Sequence, residues 1–184
     1  MTESEIIKGC IKHDRNCRKA LYEEFFGKMM GVCLRYSKGE QEAKEVLHEG
    51  FLKVFENIKN YRGELPLEEW VRKIVINAGV AYLRKNRQSY LIVNTVNASE
   101  VPSVKEKPIS DDELLNRMTQ EDVLKTIQEL SPAYRTVYNL YCMEKYSHRQ
   151  ISEKLDISEE TSRSNLAKAK FNIRKNLIRI CNDR

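Results

Sequence analysis

A basic segment near the C-terminus has the residue types that suit contact with a polyanion. Between positions 163 and 184, seven residues are Lys or Arg and one, Asp183, is acidic. In a helix that turns 100° per residue, the residues at 166, 169, 173 and 177 fall within about 60° of Ser162 and form the inward stripe. The outward side is small or basic, and comprises Arg163, Ser164, Ala167, Lys168 and Lys175. Small residues permit close approach to a duplex, and basic residues contact phosphates and guanine edges. A basic face can also simply be solvated.

The stretch before this segment favours the DNA interpretation. Ser147 can cap a short helix, "HRQISEKL", that directs Ile151 and Leu155 inward. "DIS" makes a turn, and Ser158 caps the basic helix, with two acids in its first turn. A short helix, a tight turn and a capped longer helix predict a helix-turn-helix whose second helix enters the major groove.

A second set of residues could contact unpaired bases. With Trp70 at zero on a helical projection, Lys73, Asn77 and Arg84 lie within about 60° of it, away from the apolar stripe of the same helix. The loop before this helix contributes Lys59, Asn60, Tyr61 and Arg62. Aromatic and basic side chains on one surface can stack on bases and hold the backbone. The alternative is that Trp70 belongs to the core.

The predicted helix at 40–60 has a third kind of surface. Its outward positions are mostly acidic, with Glu42, Glu45 and Glu49 at helical spacing beside Lys44 and His48. An acidic face does not suit DNA, so it suits a protein partner or solvent.

Patterning along the chain predicts an all-α protein with two small helical domains. The 184 residues include 7 Gly and 4 Pro, and apolar residues recur at helical intervals before position 88 and after position 112. The segment between them contains two prolines and several Asn, Ser and β-branched residues, and it has no helical period. This composition predicts a flexible linker, and the alternative is a single strand at "LIV". The predicted boundaries are 1–87 for an N-terminal helical domain, 88–112 for a flexible acidic linker, and 113–184 for a C-terminal helix-turn-helix domain.

Composition excludes several other classes. No run approaches the roughly 20 apolar residues of a membrane span, and the five cysteines are odd in number without a CxxC pair. His13 and Cys17 have helical spacing for two metal ligands, but no second pair lies nearby. We therefore expect a cytoplasmic protein with reduced thiols, no metal, no cofactor, no small-molecule substrate and no direct membrane insertion. No catalytic constellation or phosphate loop appears, so we expect no enzyme.

These segments together resemble the extracytoplasmic-function (ECF) group of bacterial sigma factors. "EAKEVLHEGFLKVFENIKNYRGELPLEEWVRKIVINAGVAYLRK" is similar to the family's second conserved region, and "ELSPAYRTVYNLYCMEKYSHRQISEKLDISEETSRSNLAKAK" to its fourth. The resemblance covers nearly the whole chain. It implies a non-enzymatic protein that binds core RNA polymerase and directs it to promoters, commonly under the control of an anti-sigma factor.

The resemblance also implies roles for particular residues. The polymerase interface comprises Glu45, His48, Glu49 and Lys53. The −10 strand is met by Lys59, Asn60, Tyr61, Arg62, Trp70, Lys73, Asn77 and Arg84, and a loop among them captures a flipped base. The −35 duplex is met by Arg149, Arg163, Ser164, Ala167 and Lys168. The linker is expected to thread toward the channels of the polymerase.

The chain departs from the family pattern at several positions. His48 replaces a usual Gln and Glu45 a usual Asp in the docking helix. Asp156 replaces the turn Gly, and Ser162 replaces an apolar residue, for which we expect a weaker contact with the core. Asn165 and Ala167 replace an Arg and a bulky residue, which leaves the promoter sequence open.

Two other functions fit parts of the sequence. A stand-alone helix-turn-helix regulator would use the N-terminal half for dimerisation or ligand sensing, but a dimer interface favours apolar residues where Trp70, Lys73 and Asn77 lie. A pure protein-interaction bundle is disfavoured by the basic run from Arg163.

Overall fold

The computed structural model describes residues 1–85 and 117–183. The chain divides into two compact units, an N-terminal unit, Met1–Lys85, and a C-terminal unit, Asn86–Arg184. Their described residues contain helices and turns and no strand, which confirms the all-α, two-domain prediction. The predicted linker, the alternative strand at "LIV" and residues 113–116 lie outside the described residues, so the exact domain boundaries stay predictions.

The N-terminal unit has four α-helices: α1 (Glu3–Ile11), α2 (Arg15–Tyr36), α3 (Glu40–Asn57) and α4 (Leu67–Lys85). A 3₁₀ turn, Ile58–Asn60, extends α3. Thr2 and Asp14 cap α1 and α2 through their side chains. Helix α2 ends at Tyr36, and Gly39 is the N-cap residue of α3.

The core of this unit lies where α2, α3 and α4 meet. Buried apolar side chains from all three helices form one cluster, which includes Leu21, Phe25, Met29, Val46, Leu47, Phe51, Val54, Val71 and Val75. Gly50 allows α3 and α4 to approach closely, since a Cβ atom there would lie 3.0 Å from Val75 Cγ2. The close approach fixes the outer faces of α3 and α4 relative to each other.

The C-terminal unit contains α5 (Gln120–Gln128), α6 (Pro132–Tyr138), α7 (His148–Leu155) and α8 (Glu159–Asn182) among its described residues. Helix α6 continues into a π-helical turn over Asn139–Met143. Ile127, Leu130, Ala169 and Ile173 pack α5 against α8. The side chain of Arg135 is buried, and its Nη2 donates to the carbonyls of Gln128 and Leu130, both at 2.8 Å. A cation there satisfies carbonyls that the end of α5 leaves unpaired.

The helix-turn-helix forms where the sequence predicts it. Ser147 caps α7 in a capping box with Gln150, and Ser158 caps α8 by accepting from the backbone N–H of Thr161. Between the helices Asp156 has a left-handed backbone, with φ 56° and ψ 52°. Asp tolerates this conformation better than most residues other than Gly, which explains how it replaces the usual turn glycine.

None of the helices within 1–85 and 117–183 is long and apolar enough to cross a membrane.

Candidate nucleic-acid interface

The outward surface of α8 carries the predicted −35 residues. Arg163, Ser164, Ala167 and Lys168 are all exposed, and Ser162, Leu166, Ala169 and Ile173 are buried, so the helical projection is confirmed. Arg149 is exposed on α7, where its Nε donates to Glu153 Oε1 at 3.2 Å. Contact of these five residues with a duplex stays a prediction.

Two cations of this surface are held by neighbours within the unit. Arg163 Nη2 lies 2.7 Å from Glu159 Oε2, one helical turn earlier. Lys168 Nζ lies 6.0 Å from the ring centre of Tyr134, at the outer limit of a cation–π contact. The free protein therefore restrains Arg163 by an ion pair more firmly than it restrains Lys168.

Ser162 connects α8 to α7 by a polar contact. It is fully buried, and its Oγ is hydrogen-bonded to His148 Nδ1 at 2.9 Å. The ring of Tyr141 stacks on the imidazole, with centroids 4.6 Å apart and an interplanar angle of 24°. The sequence predicted a weaker contact with the core at Ser162; the structure shows a hydrogen bond to α7 at this buried position.

The surroundings of His148 favour the neutral imidazole. Burial lowers its pKa, and the positive charges of Arg163 and Lys170 lower it further, while Glu159 opposes them. At neutral pH the Ser162 hydrogen bond is therefore made by an uncharged ring.

In the N-terminal unit a small cavity lies in front of Trp70. Its volume is about 270 Å³, and it is lined by Asn60, Tyr61, Arg62, Glu64, Leu65 and Trp70. This volume is slightly below the range of about 300–1,000 Å³ that is typical of pockets for drug-sized ligands. A cavity of this size suits one flat ring. The predicted residues Asn60, Tyr61, Arg62 and Trp70 are thus brought together. Glu64 and Leu65 were not among the predicted residues, because no periodicity marks a loop lining.

The cavity is held open by contacts within its own loop. Tyr61 Oη donates to the carbonyl of Leu65 at 2.7 Å, across a turn in which Gly63 has φ 74°. The Tyr61 and Trp70 rings are tilted by 60° with centroids 5.3 Å apart. Desolvation raises the pKa of Tyr61, so its hydroxyl stays protonated and able to donate.

Trp70 serves the core and the cavity together. It is half-buried and packs on the apolar cluster of the unit, yet one side lines the cavity. Lys73, Asn77 and Arg84 are exposed further along α4, and Lys59 is exposed beside the loop. The two interpretations of Trp70 in the sequence are therefore not exclusive.

The outer face of α3 is polar, as predicted. Glu45, His48 and Glu49 are exposed and Lys53 is partly exposed. Glu45 Oε2 accepts a hydrogen bond from Tyr82 Oη at 2.9 Å, which ties this face to α4. The sequence missed Leu52, whose side chain is 44% exposed on the same helix.

Comparisons with known proteins agree with this arrangement. A family model described as "Sigma-70 region 2" matches residues 21–89, and one described as "Sigma-70, region 4" matches residues 120–170. The ECF RNA polymerase sigma-E factor of Haemophilus influenzae is 23% identical over 92% of each chain. The RNA polymerase sigma-H factor of Pseudomonas aeruginosa is 24% identical over 95% of this chain and 93% of its own. The ECF sigma factor SigW of Bacillus subtilis is 22% identical over 93% and 94%.

A solved structure shows the same fold. The sigma factor RpoE of Bartonella quintana, solved in complex with the anti-sigma factor NepR, matches with a TM-score of 0.51 and 15% identity. The match covers 86% of this chain and 97% of that one.

The two regions, in this order over most of the chain, define a bacterial RNA polymerase sigma factor. The chain belongs to the ECF group of the sigma-70 family, which confirms the resemblance and the function that it implies. It directs transcription initiation with core RNA polymerase at promoter DNA. A stand-alone regulator is set aside, because region 2 occupies the half of the chain that such a regulator would use for dimerisation.

Proposed function

We propose that the two units divide promoter recognition between them. Residues 1–87 bind core polymerase and open the −10 element, residues 113–184 read the −35 duplex, and residues 88–112 connect them. The observation that carries this proposal is the cavity beside Trp70, which lies on the unit that also bears the polar α3 face. A module that binds only intact duplex DNA does not need a cavity for an extruded base.

The cavity has the features needed to hold one extruded base. The tilted Tyr61 and Trp70 rings give an aromatic wall, and Asn60, Arg62 and Glu64 supply donors and acceptors for a base edge. Lys59, Lys73 and Arg84 offer positive charge for the backbone nearby, and Asn77 lies among them on α4. Unstacking a base costs a few kcal/mol, and capture in a fitted pocket together with phosphate contacts offsets that cost without ATP.

The C-terminal unit is suited to duplex DNA. Arg163, Ser164, Ala167 and Lys168 form one exposed strip of α8, and Arg149 adds a cation from α7. Ala167 permits the helix backbone to come close to the bases, while the cations meet phosphates or guanine.

The α3 face is the proposed polymerase contact. Glu45, His48, Glu49 and Lys53 give it a polar character, and the exposed Leu52 supplies an apolar centre among them. Interfaces commonly combine an apolar centre with a polar rim, and this face has that composition.

We further propose a cytoplasmic location, an anti-sigma factor as a regulatory partner, and no enzymatic activity. The location follows from the polymerase and promoter that the protein serves. The Bartonella sigma factor of the same fold was solved with an anti-sigma factor, which supports the same class of partner here.

Run-off transcription tests the proposal as a whole. Core polymerase is given the full chain and a library of promoter fragments, and start sites are mapped. We expect transcripts from a promoter class with defined −10 and −35 elements. Transcription that starts without a shared −35 element would remove the role given to α8.

A further inference from the structure

One acidic side chain contacts the groove-facing surface of α8. Glu159 lies in the first turn of the helix, and its Oε2 is 2.7 Å from Nη2 of Arg163. The side chains are 41% and 60% exposed, so both reach the surface that the proposed function assigns to DNA. An acid next to the phosphate backbone weakens binding to any sequence. Its presence there calls for a physical reason.

The ion pair with Glu159 restricts the guanidinium of Arg163 but leaves most of its N–H donors available. Arg has five N–H donors in a rigid fork, and a single carboxylate oxygen occupies only part of them. An unpaired exposed Arg samples many rotamers, which a specific base contact must restrict. Glu159 restricts them in advance, and the donors that remain can make the paired contact to O6 and N7 of guanine.

The helix backbone that carries the Glu159 carboxylate is held in place. Ser158 caps the helix by accepting from Thr161 N at 3.0 Å, and its Oγ is also bonded to Thr161 Oγ1 at 2.9 Å. Further along the same helix, Ser162 is tied to His148 of α7. The backbone that carries Glu159 and Arg163 is therefore fixed at both ends of the pair.

We propose that Glu159 is a positioning residue that orients Arg163 toward one base pair of the −35 duplex and so sets the base preference there. The proposal rests on the assignment of α8 to that duplex. It implies an exchange, in which binding to all DNA is weakened by the acid while discrimination at one position increases.

Glu160 provides a matched control. It lies in the same first turn, is exposed, and forms no ion pair with the residues described in the C-terminal unit. Replacing either acid with Ala removes one negative charge and one first-turn interaction with the helix dipole. Only Glu159→Ala also releases Arg163.

The experiment selects sequences with holoenzyme made from the full chain and core polymerase. The probe is a promoter library in which the −35 duplex is randomised, and base preference is read at each position for wild type, Glu159→Ala, Glu160→Ala, Arg163→Ala and the Glu159→Ala/Arg163→Ala double variant. We expect Glu159→Ala and Arg163→Ala to lose preference at the same base pair, by about fivefold or more. The double variant should resemble Arg163→Ala, and Glu160→Ala should keep the wild-type preference. Both acid variants should bind a scrambled duplex more tightly than wild type.

The outcomes separate the inference from the function on which it rests. If Arg163→Ala keeps every preference, the assignment of Arg163 to the duplex is wrong. If Arg163→Ala loses one preference and Glu159→Ala does not, only the positioning role is overturned. Equal losses in Glu159→Ala and Glu160→Ala, or a uniform loss over all positions, would also overturn it, since charge or folding would then explain the effect.

Discussion

Replacing Ser162 with Ala should destabilise the C-terminal unit through the loss of one interhelical hydrogen bond. The Ser162 Oγ–His148 Nδ1 bond of 2.9 Å is made by a fully buried hydroxyl. Such bonds contribute about 0.5–1.5 kcal/mol net. Ala also has the better helix propensity, by a few tenths of a kcal/mol, which offsets part of the loss.

Ser164→Ala removes that offset from the comparison. Ser164 is exposed on the same helix two residues later, so it gains the same propensity and loses no buried bond. We expect Ser162→Ala to be less stable than Ser164→Ala by about 1 kcal/mol. His148→Ala should cost about 1–3 kcal/mol, since it loses the hydrogen bond and the Tyr141 stacking, each about 0.5–1.5 kcal/mol.

The assay follows urea unfolding of the full chain with a separate probe for each unit. Trp70 is the single tryptophan and reports the N-terminal unit by fluorescence. Backbone amide signals of α7 and α8 report the C-terminal unit. A double-mutant cycle between His148→Ala and Ser162→Ala isolates the pair, and we expect a coupling of about 0.5–1.5 kcal/mol. A coupling below about 0.3 kcal/mol, or equal stabilities of Ser162→Ala and Ser164→Ala, would refute the role given to this bond.

Four further predictions concern pH and the proposed interfaces. Burial and the charges of Arg163 and Lys170 lower the folded-state pKa of His148, and Glu159 opposes them only in part. Near this pKa the unfolded chain therefore binds more protons than the folded chain. The C-terminal unit should therefore lose stability as pH falls below about 6.5, and His148→Gln should lose less. An equal change in the urea midpoint of the two proteins between about pH 7.5 and about pH 5.5 would contradict this. Replacing both Arg163 and Lys168 with Ala should weaken −35 binding. It should also reduce the slope of log binding constant against log salt concentration by about one for each phosphate that these cations neutralise. An unchanged slope would contradict the proposal that this face of α8 contacts the DNA groove. Asn77→Ala should reduce −10 opening by permanganate footprinting more than polymerase binding, and normal melting would show the assignment to be wrong. Glu45→Arg should impair co-purification with core polymerase, with Glu45→Gln as the control that can still accept from Tyr82; full recovery of Glu45→Arg would exclude the docking role.

The helical boundaries of the helix-turn-helix could be predicted because local contacts set them. Ser147 with Gln150 and Ser158 with Thr161 are interactions within one helical turn, so residue types at spacing three suffice to place them. The projection of α8 likewise requires only 100° per residue, and it identified Arg163 and Lys168 as exposed.

Partners on different helices could not be predicted, because their distance depends on how the helices pack. Ser162 is buried against His148, fourteen residues earlier, and Glu45 accepts from Tyr82, thirty-seven residues later. The cavity beside Trp70 depends on a loop whose shape is set by the Tyr61–Leu65 hydrogen bond and the Gly63 turn. The sequence by itself determined the helices, their exposed faces and the family. The tertiary structure decided which polar side chains meet, since only packing brings residues distant in the chain within hydrogen-bonding distance.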